Sequence, residues 1–311
     1  MQFGAGRLAL AEGVVAGVLF GTASVFIRFL EGFDASWLVL GRLAVASLFL
    51  LSILLVSRRQ SALRAVRGNV RKVVVLGALL GTHFVLFTSA VKDTTILNAT
   101  VLVDTAPMFA AIISTLVFKM KPSRTAATGL ATSFVGIVIV GVAEATKTSH
   151  NAQGLLGDAE AVLSALVLAF YANYGKELRS RMNPIAAMVP VYAVAGAASA
   201  AYGVLTARML PSSIVQPQIA LYILGLGLLP TAVAHTLYFS SLSTLRPFET
   251  ATFTLFEPVV AAMLGFVLFS EVPLPIFVLG AFLILVGVVL VLGKKGSRSV
   301  TDCAPQQAAV S

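Results

Sequence analysis

Ten times along its 311 residues the chain runs apolar for about 20 positions, near 8–30, 36–56, 72–91, 95–118, 124–143, 154–174, 184–206, 218–241, 247–269 and 273–292. A helix rises about 1.5 Å per residue, so each run reaches across a hydrocarbon core of roughly 30 Å. Inside lipid only helices and closed barrels satisfy their own backbone groups. Barrel strands alternate polar and apolar residues over about ten positions, and these runs do not alternate. The chain therefore reads as an all-α integral membrane protein of ten transmembrane helices. Charged residues make up 11% of it, against about 25% in soluble domains, too few to cover a water-facing surface.

The net charge of +9 does not point to nucleic acid, because the basic residues sit between the apolar runs. With the N-terminus placed in the cytoplasm, 17 of the 22 Lys and Arg fall on the inside. The exceptions are Arg28, Arg42, Lys92, Lys147 and Arg208. This bias predicts a multi-pass protein of a bacterial or archaeal plasma membrane with both termini cytoplasmic. The first run follows a lone Arg7, lacks a small-residue cleavage site and reads as a retained span. The polar loops near 57–72 and 144–153 are too short for a soluble domain. Cys303, the single cysteine, lies in a polar tail, without disulfide or metal-site spacing.

The chain also repeats itself. Laying residues 96–136 over 247–287, a shift of 151, places Pro107 on Pro258, Phe118 on Phe269, Pro122 on Pro273, Gly129 on Gly280 and Gly136 on Gly287 without a gap. Ser89 falls on Ser240 and Phe87 on Tyr238. Five is odd, so a second five-helix copy enters the membrane upside down, as in many secondary transporters. The expected organisation is a first repeat over 1–145, an inverted second repeat over 146–293, and a cytoplasmic tail over 294–311.

Several short patterns now read together. Phe256-Glu257-Pro258-Val259-Val260-Ala261-Ala262, then Glu271, then Gly280 and Gly287 in the last run, resemble the EamA-type transporters of the drug/metabolite transporter superfamily. Gly21-Thr22-Ala23-Ser24 and Gly41-Arg42-Leu43-Ala44 in the first half look like further family features. The resemblance covers residues 8–293. Phe20 departs from it, standing where many members have Trp; Ala106-Pro107 takes the place of a first-copy Glu-Pro, and Met120 the place of Glu271. The resemblance implies export or exchange of amino acids, drugs, nucleosides or related metabolites.

Ionisable residues in mid-span are the leading site candidates, since a charge there costs roughly 2.5–3.5 kcal/mol unless it is paired, protonated or hydrated. Asp104 and Glu257 read either as a proton or substrate-amine site or as carboxyls holding a proline-broken turn. His83 and His235, 152 apart and near-symmetric, are candidate proton relays or buried neutral rings. Phe87, Tyr171, Tyr174, Tyr238 and Phe253 are candidate stacking residues for an aromatic or amphipathic substrate. Asn98, at the start of the fourth span, gates or caps. With these, the expected substrate cavity is His83, Phe87, Asn98, Asp104, Tyr171, Tyr174, His235, Tyr238, Phe253 and Glu257. Structural or gating roles are expected for Gly17, Gly21, Arg42, Pro107, Pro258 and Glu271. Arg42 pairs with an acid or headgroup, or serves as counter-charge to a substrate carboxylate.

No phosphate-gripping G-x-x-x-x-G-K-[ST] loop is present, which argues against ATP-driven transport within this chain. His83, His150 and His235 lack metal-ligand spacing, and no nucleophile elbow or paired-carboxylate motif suggests an enzyme. The expectation is a secondary transporter working by alternating access, as a monomer, on a small metabolite, with protons as a candidate coupling ion and no cofactor or metal. The alternatives are a lipid flippase of the same fold and, further off, a channel or a membrane-embedded enzyme.

Overall fold

The computed structural model describes residues 2–145, 152–206, 216–270 and 272–293. Among these, ten helical stretches are long and apolar enough to cross a membrane. They are span 1 (Ala5–Phe29), span 2 (Ala35–Val56), span 3 (Ala62–Asp93), span 4 (Ile96–Leu116), span 5 (Arg124–Val142), span 6 (Gln153–Arg179), span 7 (Pro184–Leu205), span 8 (Pro217–Ser241), span 9 (Pro247–Phe269) and span 10 (Pro275–Leu292). All ten coincide with the apolar runs. Span 3 begins earlier than expected because the basic loop winds into a 3-10 turn over Gln60–Asn69 that leads into the helix. Span 6 runs on to Arg179, with Lys176 and Arg179 in its last turn, where cations favour the helix C-terminus.

Local chemistry sets the starts. Asp34 accepts from Ser36 N at 2.9 Å to cap span 2, and Asn183 accepts from Ile185 N at 3.1 Å to cap span 7. Thr95 accepts from Asn98 N at 3.1 Å to cap span 4. Pro184, Pro217, Pro247 and Pro275 occupy first-turn positions, where a missing N–H costs nothing. Leu48, Val56, Val267 and Phe282 point outward and are more than half exposed. Such a belt suits lipid, not water.

Four spans are interrupted near mid-depth. Span 1 breaks at Gly21 and Thr22, and span 4 at Asp104 and Thr105. Span 8 widens to a π-helix over Gly227–Val233, and span 9 tightens to a 3-10 turn over Thr252–Phe256. Pro107 and Pro258 sit in the first turns of the half-helices that follow the breaks in spans 4 and 9.

The packing partners exchange in a regular way. Span 3 packs on spans 6 and 7, while span 8 packs on spans 1 and 2; span 5 packs on span 10. Swapping the two halves maps this set onto itself, which is consistent with the expected inverted repeat. Spans 5 and 10 cross through glycine. A Cβ on Gly136 would lie 2.6 Å from Gly280 O, and one on Gly129 would lie 2.7 Å from Gly287 O. Ser133 Oγ donates to Ile284 O at 3.3 Å across a separation of 151 residues, the repeat shift itself. The expected tail over 294–311 and Glu271 lie outside the described residues.

Small residues let the two helix backbones touch, which is the main source of association in lipid. Gly136→Leu is expected to destabilise the fold by about 1–3 kcal/mol through overpacking. Gly32→Ala, where a Cβ meets nothing within 4 Å, is expected to be neutral. Thermal unfolding in detergent checks both; equal melting temperatures would show that the crossing contributes nothing.

Candidate functional site

All four helix interruptions abut one void in the middle of the bundle. Span 1 contributes Phe20 and Ala23, span 4 contributes Val103, span 8 contributes His235 and Tyr238, and span 9 contributes Thr254 and Glu257. Unbroken spans supply the rest: Arg42 from span 2, His83, Phe84 and Phe87 from span 3, and Leu168 from span 6. Irregular backbone inside a membrane persists only where protein or a cavity covers it, and here the cavity is this void. It offers about 20 Å³ to the centre of a water molecule, room for one or two waters. Metabolite sites run to roughly 300–1,000 Å³, so this conformation is contracted around its centre.

Arg42 is 1% exposed and is positioned by span 8. Pro230 has no N–H to give to Leu226 O. Thr231 Oγ1 takes that carbonyl instead, at 2.6 Å, and the helix widens there. The same hydroxyl oxygen accepts from Arg42 Nε at 2.8 Å, while Tyr192 OH donates to Thr231 O at 2.8 Å. The guanidinium carbon stands 4.0 Å from the Phe84 ring centroid, a cation–π contact. Among the described residues Arg42 Nη1 has no hydrogen-bond partner, nor has Glu257 Oε1. Two groups of opposite charge thus line one void with hydrogen-bonding capacity unspent. Asp104 is fully buried beside Glu257 and Thr254. Two carboxylates this close repel in a low dielectric, and the nearby guanidinium offsets part of that cost.

The two histidines differ. Ser164 Oγ sits 2.8 Å from His83 Nδ1 and 3.0 Å from His83 O, which fixes that ring. His235 lies edge-on to Phe84 at 4.7 Å and tilted against Phe20 at 4.6 Å, and its Nδ1 has no partner. His83 and His235 approach to 6.3 Å between centroids. Tyr238 OH is also unpartnered, and its ring stacks at 6.4 Å on Tyr171.

Of the expected cavity residues, His83, Phe87, His235, Tyr238 and Glu257 line the void, and Asp104 adjoins it next to Val103. Tyr171 forms a second layer, with its hydroxyl 3.6 Å from Met188 Sδ. Three of the expected residues lie away from the void. Tyr174 is 45% exposed and meets only Phe118 edge-on among the rings. Asn98 sits at the membrane-face end of span 4, donating to Asp158 and to Thr94 Oγ1. Phe253 is buried against span 1, where its ring fills the space over Gly13. Arg42, expected in a structural or gating role, lines the void itself. Gly17 and Gly21 let span 1 approach the break in span 9: a Cβ on Gly17 would lie 2.2 Å from Phe253 O, and one on Gly21 2.5 Å from Val260 Cβ. Sequence reasoning missed Phe84 and Thr254 in the lining and Thr231 and Tyr192 behind Arg42. Phe84 adjoins a candidate, His83; for the others only Pro230 hinted that span 8 is irregular.

The sequence pattern of the EamA-like transporter family matches residues 8–142 and 155–293. An uncharacterized transporter of Archaeoglobus fulgidus is 26% identical over 210 residues, 63% of this chain and 68% of that protein. A second uncharacterized transporter of the same organism is 21% identical over 206 residues, 66% of this chain and 70% of its own. A solved crystal structure shares the fold with a TM-score of 0.74 at 18% identity, covering 91% of this chain and 95% of that one. With ten spans, broken helices around a central void and a pattern matched from end to end, this chain belongs to the EamA-like transporter family.

Proposed function

We propose that this membrane transporter is a secondary carrier that moves a small amphipathic metabolite, such as an aromatic amino acid or a drug-like compound, by alternating access. One observation supports this most: Arg42 and Glu257 line the same central void, among aromatic rings, each with an unspent hydrogen-bonding atom. A cargo bearing an ammonium and a carboxylate would meet Glu257 with one and Arg42 with the other. The rings of Phe20, Phe84, Phe87 and Tyr238 would hold its apolar part by stacking. Binding requires the void to widen, which fits a contracted state between two open ones.

In this reading the carrier consists of two inverted repeats, 1–145 and 146–293, and acts as a monomer in a plasma membrane with both termini cytoplasmic. Asp104 and Glu257 exchange a proton with the cargo's charge, so a proton gradient drives net movement. Chemistry on the cargo plays no part.

Purified protein in liposomes, offered a panel of labelled amino acids and aromatic amines, is expected to take up at least one of them, with no lipid scrambling in the same vesicles. Scrambling without uptake would favour the flippase. Arg42→Gln and Glu257→Gln are each expected to cut uptake about tenfold, the value of one charge-assisted contact. Asn98→Ala and Tyr174→Phe should leave it within about twofold. Full uptake by both charge variants would remove the pair from the pathway.

Asp104→Asn is expected to abolish the response to an imposed pH gradient while sparing cargo exchange. A gradient response equal to wild type would remove protons from the coupling. Cysteines at Arg64 and Gly32 are expected to label from opposite sides of the membrane, Arg64 from the cytoplasm. Labelling of both from one side would refute the orientation.

A further inference from the structure

Spans 1 and 6 align with a shift of 148: Glu12 falls on Glu160, and Gly13, Gly17 and Gly21 fall on Ala161, Ala165 and Ala169. Ser89 of span 3 and Ser240 of span 8 are counterparts under the shift of 151. The fold joins these four residues in two pairs. Ser240 Oγ donates to Glu12 Oε1 at 2.9 Å, tying span 8 to span 1. Ser89 Oγ donates to Glu160 Oε1 at 3.0 Å, tying span 3 to span 6. Equivalent residues of the two halves therefore make the same bond, once near the start of span 1 and once near the start of span 6, at opposite faces of the bundle.

Each face also carries a lysine that binds helix ends together. Lys92 Nζ, at the end of span 3, donates to Glu31 O at 2.8 Å and also to Phe33 O, past the end of span 1. Lys176 Nζ, in the last turn of span 6, donates to Leu242 O at 2.7 Å and Leu245 O at 3.0 Å, past the end of span 8. Cationic donors on several terminal carbonyls make firm joints. Spans 1 and 3 are thus fastened at one face, and spans 6 and 8 at the other. At the first of these faces span 6 is held to span 3 by the Glu160–Ser89 bond and by Gln153 Nε2, which donates to Asp93 Oδ1 at 3.0 Å. At the other face span 1 is tied to span 8 by Glu12–Ser240. Hydrogen bonds from neutral donors are the weaker links at each face, beside the lysine joints.

We propose that Glu12–Ser240 and Glu160–Ser89 are two latches of the carrier, one at each membrane face, and that each breaks when its own mouth opens. The assignment rests on the alternating-access reading above. Loss of a latch releases the face it closes, so the two losses bias the carrier in opposite directions.

Spin labels report this directly. One pair of positions is Leu8 and Ser180; the other is Gly32 and Leu156. All four are exposed, and each residue of one pair is the counterpart of one in the other under the shift of 148. With Cys303→Ala as background, wild-type protein in liposomes is expected to show short and long distances for both pairs. Glu12→Ala and Ser240→Ala are each expected to enrich the long distance at Leu8–Ser180 about tenfold relative to the short one and to deplete it at Gly32–Leu156. Glu160→Ala and Ser89→Ala should do the reverse. Glu12→Gln and Glu160→Gln, which still accept from serine, should shift the ratios less. If a glutamate variant does not fold, the serine variants, which delete one oxygen, give the same reading. Wild-type alternation with unchanged or same-direction shifts in the alanine variants would overturn the latches and leave alternating access standing. A wild type confined to one distance in each pair would overturn both.

Discussion

Lipid offers a peptide group nothing to bond with, and the architecture follows from that. Six of the ten spans answer with unbroken helix through the core, and spans 1, 4, 8 and 9 do not. Each interruption leaves carbonyl and amide groups short of partners, and each is turned toward the same point. There they are met by hydroxyls: Thr22 Oγ1 on Leu19 O at 2.7 Å, Thr105 Oγ1 on Leu102 O at 2.7 Å, and Thr231 Oγ1 on Leu226 O at 2.6 Å. The backbone requirement that excludes irregular structure from the lipid face concentrates it at the centre. A polar centre is what a path for polar cargo needs.

Charge follows the same logic. Arg42 is tolerable in the core because the Phe84 ring and the Thr231 hydroxyl share the task of solvating it. The surround is incomplete, and so is that of Glu257. Buried groups left short of partners raise the energy of the contracted state. A ligand that completed those bonds would stabilise the protein as it bound.

Much of this was legible in the chain. Apolar run length identified all ten spans, and Pro107 and Pro258 marked the interruptions in spans 4 and 9. The aligned Gly129, Gly136, Gly280 and Gly287 are the residues on which spans 5 and 10 cross. Direction around each helix axis was not legible. A span in lipid is apolar on every side, so periodicity cannot separate an inward Tyr171 from an outward Tyr174. Nor could spacing show that Phe253 fills the gap above Gly13, or that Asn98 turns to Asp158 at the membrane face. The π-turn that seats Arg42 depends on Pro230 and Thr231 acting together, a pairing without a periodic signature.

The hydroxyl that fixes His83 has a further meaning. Ser164 stands 148 residues after Ala16, so the first copy has a methyl where the second has an alcohol, and His235 is left with a free ring nitrogen. One imidazole is bolted to the scaffold and its twin is not. A homodimer built from either half alone would hold two restrained rings or two unrestrained ones, never one of each.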